Sequence, residues 1–577
     1  LEPAVSVTGT TLTQSVIGEL LYPQTTVEFE AGVTPASFAG ASRPWVDAVE
    51  RYGLVGDGAT NNDDAFERML SVGGQALFIR RGDYVIHSAK EIPSNTTIYL
   101  EPGTIIRDGG VLPEEGFIRL EDVENVHIIG YGAKLLMDRN DYTTGEQRHG
   151  LQIRGSCTNI CVEGLESSNM GGDGFFVGTN NGAKVPTNVR ILNCKADNNR
   201  RQGMSITCAR DLLVFGGSFT RTSGTLPQSG IDIEPDSPTY PLERIRLVNV
   251  HTGGNADAGI LIYLDPIDST SNPVSIDIVN HHDVGSDWGA VVRQVHKNTK
   301  GYIRFHAPVW QENNQYGFGT IDHEAGGILT EVFDPLIIDP NQNGSTDNFI
   351  GCGMTVCYGD DAGLTNPIGG VHIYRPAIRV TGTQQPTVAF YAQNTINAGE
   401  IEDVKIIDPK EAVWSVAPTY LEGPVYVRDP EHVMRLAVTS GTSVSAVFYR
   451  SLYTNEGATG SVTLNLAGWY DDGREQTFEV HESQNLVLVA NAIDTSLRIF
   501  PGSYTSLQSN EVGAKITLKP GEGGFWITNM VGAWHASGTT WTISNELDDY
   551  AFDADSVTTA ELADVVATLI KKLRFGA

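Results

Sequence analysis

Two acids, Asp232 and Glu234, stand one residue apart in a stretch that alternates apolar and polar side chains, Gly230-Ile-Asp-Ile-Glu. On a strand, alternate residues share a face, so both carboxylates project from one side, with Cα atoms about 6.7 Å apart. Carboxylates held that close cannot both ionise freely. One titrates high and is available as a proton donor while its partner stays ionised. A carboxylic acid beside a carboxylate is the equipment of glycosidic hydrolysis, and a separation of about 6.5–9.5 Å leaves room for the water of an inverting reaction. Equivalent positions in neighbouring repeats add Tyr263 and Arg293, while Asp236 and Asp265 each lie six residues after a repeat glycine. Asp232, Glu234, Tyr263 and Asp265 are therefore the candidate catalytic residues. His149, Arg154, Asp173, Asp236, Trp288 and Arg293 are the candidate binding residues. β-Elimination from a uronic acid is the rival chemistry, with Tyr263 or His149 as base and Arg293 or Arg154 as the cation on the sugar carboxylate. Neither reaction requires a cofactor, although such carboxylates are also Ca2+ ligands. A non-catalytic binding groove would use the same residues.

The alternation belongs to a repeat. Gly150, Gly174, Gly203, Gly230, Gly259 and Gly289 are spaced 24, 29, 27, 29 and 30 residues apart, and each opens a short strand. Positions one and three after each glycine are apolar (Phe175/Val177, Met204/Ile206, Ile231/Ile233, Ile260/Ile262), and the alternate positions carry the chemistry. A second strand lies between successive glycines, as at Val189-Arg-Ile-Leu or Ile245-Arg-Leu-Val, and a third is only sketched. No single repeat buries its own apolar face, so neighbours must stack. A period near 28 residues is too short for a four-stranded propeller blade, and the leucine-rich signature is absent. The expected fold is all-β: a right-handed parallel β-helix. Leu165, Cys194 and Val250 each precede a repeat glycine by nine residues and should share one interior column.

Upstream, Gly56-Asp-Gly-Ala-Thr-Asn-Asn-Asp-Asp-Ala-Phe leads to a helix expected to reach Leu70, then to a strand and Gly82-Asp-Tyr. Asn and Asp at the start supply an N-cap and an acidic first turn. This segment resembles the opening of the pectate-lyase-like β-helix superfamily, and bacteriophage tailspike proteins carry it especially often. The resemblance extends over about residues 44–420 as architecture, with only this opening motif specific. It implies a capped β-helix, a bacterial surface polysaccharide (O-antigen or capsule) as substrate, and a phage virion as location. It also implies attachment to a phage tail or baseplate through an N-terminal part that the sequence, opening at Leu1 with neither Met nor a signal peptide, lacks.

The flanks divide as 1–43, a connecting segment; 44–149, the cap and first coils; 150–429, the central β-helix with its groove; 430–545, a C-terminal antiparallel β-sandwich; and 546–577, an acidic connector and terminal helix. Leu562, Val566, Leu569 and Leu573 form a stripe at helical spacing, expected to join three chains. Across 577 residues, 39 Lys+Arg against 70 Asp+Glu give a net charge of −31. Such a balance disfavours nucleic acid, whose phosphates need a basic face, and anionic membrane surfaces. No apolar run is long enough to span a bilayer. The six cysteines show no C-x2-C pair and no finger-spaced His, so they read as buried apolar fillers, and no metal site is expected.

Overall fold

The computed structural model describes residues 45–359 almost continuously (excepting 111, 114, 348 and 349), much of 366–407, and separate stretches between 420 and 536. Residues 1–44 and 537–577, and with them the connecting segment and the Leu562–Leu573 stripe, lie outside the described residues.

Three parallel sheets of 14, 12 and 12 strands run the length of the first unit, and each turn of chain adds one strand to each. This is a right-handed parallel β-helix. One turn comprises Met204–Ile206, Ala209–Phe215 and Ser218–Thr220, after which Ile231–Ile233 returns beside Met204–Ile206 in register. The third strand of a turn is commonly three residues, as in Lys195–Asp197 and His251–Gly253, too short for alternation to announce it. Ile153, Val177, Ile206, Ile233, Ile262 and Val292 stack up the interior at 0–1% exposure. Each such side chain withdrawn from water contributes about 1.5–3 kcal/mol. Leu165, Cys194 and Val250 are likewise buried at 1%. At one bend Asn95, Asn125, Asn159 and Asn188 hold positive φ, which a short polar side chain tolerates. Their amides form a ladder, each Nδ2 donating to the Oδ1 below at 2.7–3.0 Å.

The repeat glycines answer to crowding rather than to dihedral freedom. A Cβ on Gly203 would lie 2.3 Å from the Gly230 carbonyl oxygen, one on Gly230 2.7 Å from that of Gly259, and one on Gly259 2.6 Å from that of Gly289. Successive coils meet backbone to backbone at this corner, so any side chain forces them apart. Gly230→Ala should cost about 1–3 kcal/mol, the usual range for overpacking. Urea unfolding of the variant tests this, and an unchanged midpoint would show that the corner can yield.

The cap follows the sequence. Helix Asp63–Leu70 begins after Asn62 with Asp63 and Asp64 in its first turn and buries Ala65, Phe66 and Met69. The Asn62 side chain is spent elsewhere: it bonds Val55 and Thr60 rather than capping the helix. No helix among the described residues is long and apolar enough to cross a membrane.

The second compact unit spans 435–444 and 451–577. Its strand Lys515–Gly521 pairs antiparallel with Gln476–Glu479 and with Gly524–Val531, over buried Phe478, Ile516, Leu518 and Phe525. Val462–Asn465 instead runs parallel to Leu486–Val489, so the expected antiparallel pattern is mixed here.

Candidate active site

Strands Leu151–Arg154, Phe175–Gly178, Met204–Ile206 and Ile231–Ile233 lie side by side, which aligns Gln152, Phe176, Ser205 and Asp232 along the outer face of one sheet. Segments leaving the sheet stand as walls, bringing in Glu146, Asn180 and Tyr240, and enclose a cleft of about 290 Å3. Predicted residues His149, Arg154, Asp232, Glu234 and Asp236 all line it. The outer column is recessed rather than solvated: Gln152, Ser205 and Asp232 are 3%, 2% and 1% exposed.

Asp173, expected to bind substrate, does not line the cleft but is fully buried beside His149, Arg201 and Ser205, which do. His149 Nδ1 lies 3.0 Å from its Oδ2, the Ser205 hydroxyl donates to the same oxygen at 2.8 Å, and Arg201 Nη1 is 3.5 Å away. Burial alone would raise this carboxyl; the His149 and Arg201 charges overcome it and hold Asp173 below the usual range. The His149 ring lies flat on Phe176, centroids 4.8 Å apart.

Asp232 is the reverse case. Gln202 Nε2 donates to its Oδ2 at 2.9 Å, while Oδ1 is buried without a hydrogen-bond partner. Burial, then the neighbouring negative charge of Glu234, push Asp232 well above the ordinary carboxylate range. Glu234 is raised by burial against the opposing pull of Arg201, and Asp236 is raised by burial as well. Burial thus favours the protonated form of these acids relative to an exposed carboxyl. Side-chain interaction between Asp232 and Glu234 brings the two carboxyls together. Asp236, two residues further along the chain, lines the same cleft. Arg201 is drawn toward Asp173, Asp232 and Glu146, and burial is more than offset by these charges, so its guanidinium is held charged.

The remaining predicted residues fall elsewhere. Tyr263 and Trp288 pack on an apolar cluster that includes Leu261, Val291 and Tyr316, and the Trp288 ring is parallel to that of Tyr316 at 5.6 Å. Arg293 is the lateral neighbour of Tyr263, as expected. It acts on Asp257, whose carboxyl burial and Asp287 push up to about 7. Asp265 is half exposed and faces His296 Nε2 at 3.4 Å. None of Tyr263, Asp265, Trp288 and Arg293 lines the cleft, so the expected single column divides into a charged recess and an aromatic patch. Among the residues lining the recess that the sequence did not mark as site residues are Glu146, Arg201 and Tyr240.

A parallel β-helix with an acid-lined recess on one sheet is thus the class that the fold and cleft define. No known family profile matches the chain. The pre-neck appendage protein of Bacillus phage B103 is 29% identical over 164 residues, 28% of this chain and 16% of that protein. The chain therefore matches only a small part of the length of that relative. Solved structures with a similar fold include the A-module of the Azotobacter vinelandii mannuronan C-5 epimerase AlgE4 (TM-score 0.48, 13% identity, 66% of this chain and 98% of that one). The bacteriophage Dettilon tailspike protein is another (TM-score 0.48, 13% identity, 65% and 68%).

Proposed function

We propose that this chain is a phage tailspike-type depolymerase that hydrolyses glycosidic bonds of a bacterial surface polysaccharide, O-antigen or capsule, in the Asp232–Glu234–Asp236 cleft. The observation that carries the reading is three carboxylates, Asp232, Glu234 and Asp236, in one recess, the first two raised by burial. Glu234, less buried than Asp232, delivers the shared proton to the glycosidic oxygen as the bond to the anomeric carbon breaks. With that proton the leaving sugar departs as an alcohol; Asp236 takes a proton from the water that attacks the anomeric carbon and releases it to solvent, from which the Asp232–Glu234 pair is reprotonated. Arg201 keeps the acids from repelling one another, and Arg154 and the His149–Phe176 stack shape the wall. The stretch shared with a phage appendage protein supports a place on a virion, acting outside the host cell.

The test is incubation with a panel of purified surface polysaccharides and mass spectrometry of what is released. Soluble oligosaccharides with added water support hydrolysis, whereas polymer bound but intact would make the chain an adhesin. β-Elimination is the second reading because Arg154, a cation suited to a uronic carboxylate, lines the same cleft as His149. An ultraviolet-absorbing unsaturated product would establish it over hydrolysis.

Assembly belongs to the same proposal: a homotrimer joined by the Leu562–Leu573 stripe and carried on a phage tail. Deleting residues 556–577 should lower the sedimenting mass to that of single chains or lower the thermal resistance of the trimer. An unchanged trimer would remove the stripe from the account.

A further inference from the structure

Outside the cleft, on the 14-stranded sheet, three dissimilar donors converge. Cys161 is the direct lateral neighbour of His127 on adjacent parallel strands, and Glu163 follows two residues later on the same face. His127 Nε2 lies 2.8 Å from Glu163 Oε1, Cys161 Sγ lies 3.6 Å from that oxygen, and all three donor atoms fall within 4.8 Å of one another. Five cysteines need no such company to be explained as buried thiols. Cys161 differs because Ile160 and Val162 take the two interior positions around it, so its sulfur belongs to the outer face.

We propose that His127, Cys161 and Glu163 form a binding site for Zn2+ or another borderline-soft divalent ion. Zinc binds thiolate at about 2.3 Å and imidazole or carboxylate at about 2.0–2.2 Å, which sets tetrahedral donors roughly 3.3–3.6 Å apart. The existing separations bracket that range, so closure needs only side-chain rotation on a fixed sheet. Thiolate, carboxylate and neutral imidazole together balance a divalent charge, and the thiol proton passes to solvent on binding. An outer shell stands beside it: Tyr131 acts on Glu163, and Asn193 Nδ2 donates to Tyr131 Oη at 3.3 Å. Such partners fix ligand orientation. His127 and Glu163 side chains are 14% and 19% exposed, which leaves the fourth position on the solvent side for water. Because the ligands come from two successive coils, the ion would staple them. This site stands independently of the carboxylate cleft, which lies on another sheet.

The test uses the full chain, stripped by chelator and titrated with Co2+ and then Zn2+. One equivalent of Co2+ should give a near-ultraviolet thiolate-to-metal charge-transfer band, and Zn2+ should displace it and raise the unfolding temperature. Cys161→Ser should abolish the band, and His127→Gln should weaken Zn2+ binding at least ~10-fold, the lower end for disturbing even outer-shell groups. A wild-type chain without the band, or a band that survives Cys161→Ser, overturns the proposal. If Cys161→Ser does not fold, His127→Gln and Glu163→Gln decide, and unchanged Zn2+ affinity in both overturns it.

Discussion

Glu234→Gln is expected to lower turnover of the cognate polysaccharide by roughly 10²–10⁴-fold, the usual scale for a lost general acid, with binding largely retained. The amide keeps the shape of the side chain but cannot hand a proton to the departing oxygen. Asp232→Asn should cost a similar factor, because the proton is held by the pair rather than by either carboxyl alone. Asp236→Asn removes the group assigned to the water and should be equally damaging. The wild-type pH profile should be bell-shaped. Activity falls at high pH as the pair loses its proton, and burial displaces that limb upward from the ordinary carboxylate range. It falls at low pH as Asp236 becomes protonated, and that limb should vanish in Asp236→Asn. Released reducing ends measured against pH decide the matter. If Glu234→Gln and Asp236→Asn both turn over polymer near the wild-type rate, the cleft is a binding surface and the chemistry is elsewhere.

Arg201→Ala is expected to carry the largest stability effect in the cleft, about 3–5 kcal/mol near neutral pH, the range for removing one partner of a buried ion pair. The guanidinium is 16% exposed and Asp173 is fully buried, so solvent offers the stranded carboxylate little relief. The sign of the pH dependence follows. Against its burial, Asp173 is held below its unfolded value by His149 and Arg201, so that stabilisation is present above the unfolded value and is lost as pH falls through the folded one. Asp232 and Glu234 are raised, and without Arg201 they rise further, so the variant loses additional stability as pH increases through their range. Both effects widen the gap between wild type and variant at higher pH and narrow it in acid. Urea unfolding at several pH values measures this. A gap below about 1 kcal/mol that does not vary with pH would mean that Arg201 is merely a surface ion pair.

Much of this architecture was legible. The glycine spacing marked the coils, and strand alternation assigned Ile231 and Ile233 to the interior and Asp232 to the outer face, as found. The cleft was legible in part: Asp232, Glu234 and Asp236 belong to one strand and its exit, so a local pattern suffices to put them together. Tyr263 and Trp288 were placed on the correct face but in the wrong company. Alternation states which side of a sheet a residue leaves from, not whether a neighbouring wall covers it or an aromatic cluster captures its ring.

Arg201 shows a second limit. It sits two residues before Gly203, at the bend, where period-two alternation no longer fixes the direction of a side chain. The one available signal was that buried acids on an outer column require a counter-charge, and the Arg200-Arg201 pair stood one repeat before Asp232. His127 and Cys161, 34 positions apart, show a third. Their contact depends on a lateral register that varying coil lengths conceal, so no ligand-spacing rule could find it.

Sequence by itself therefore determined the repeat, its interior columns and the strand that bears the acids. These follow from side-chain volume and polarity at fixed periods along one chain. Only the tertiary structure decided which acids are buried in one recess, which cation lies beside them and which thiol meets a histidine. Those outcomes depend on distances of a few ångströms between coils and on burial by distant segments, quantities that no local period encodes.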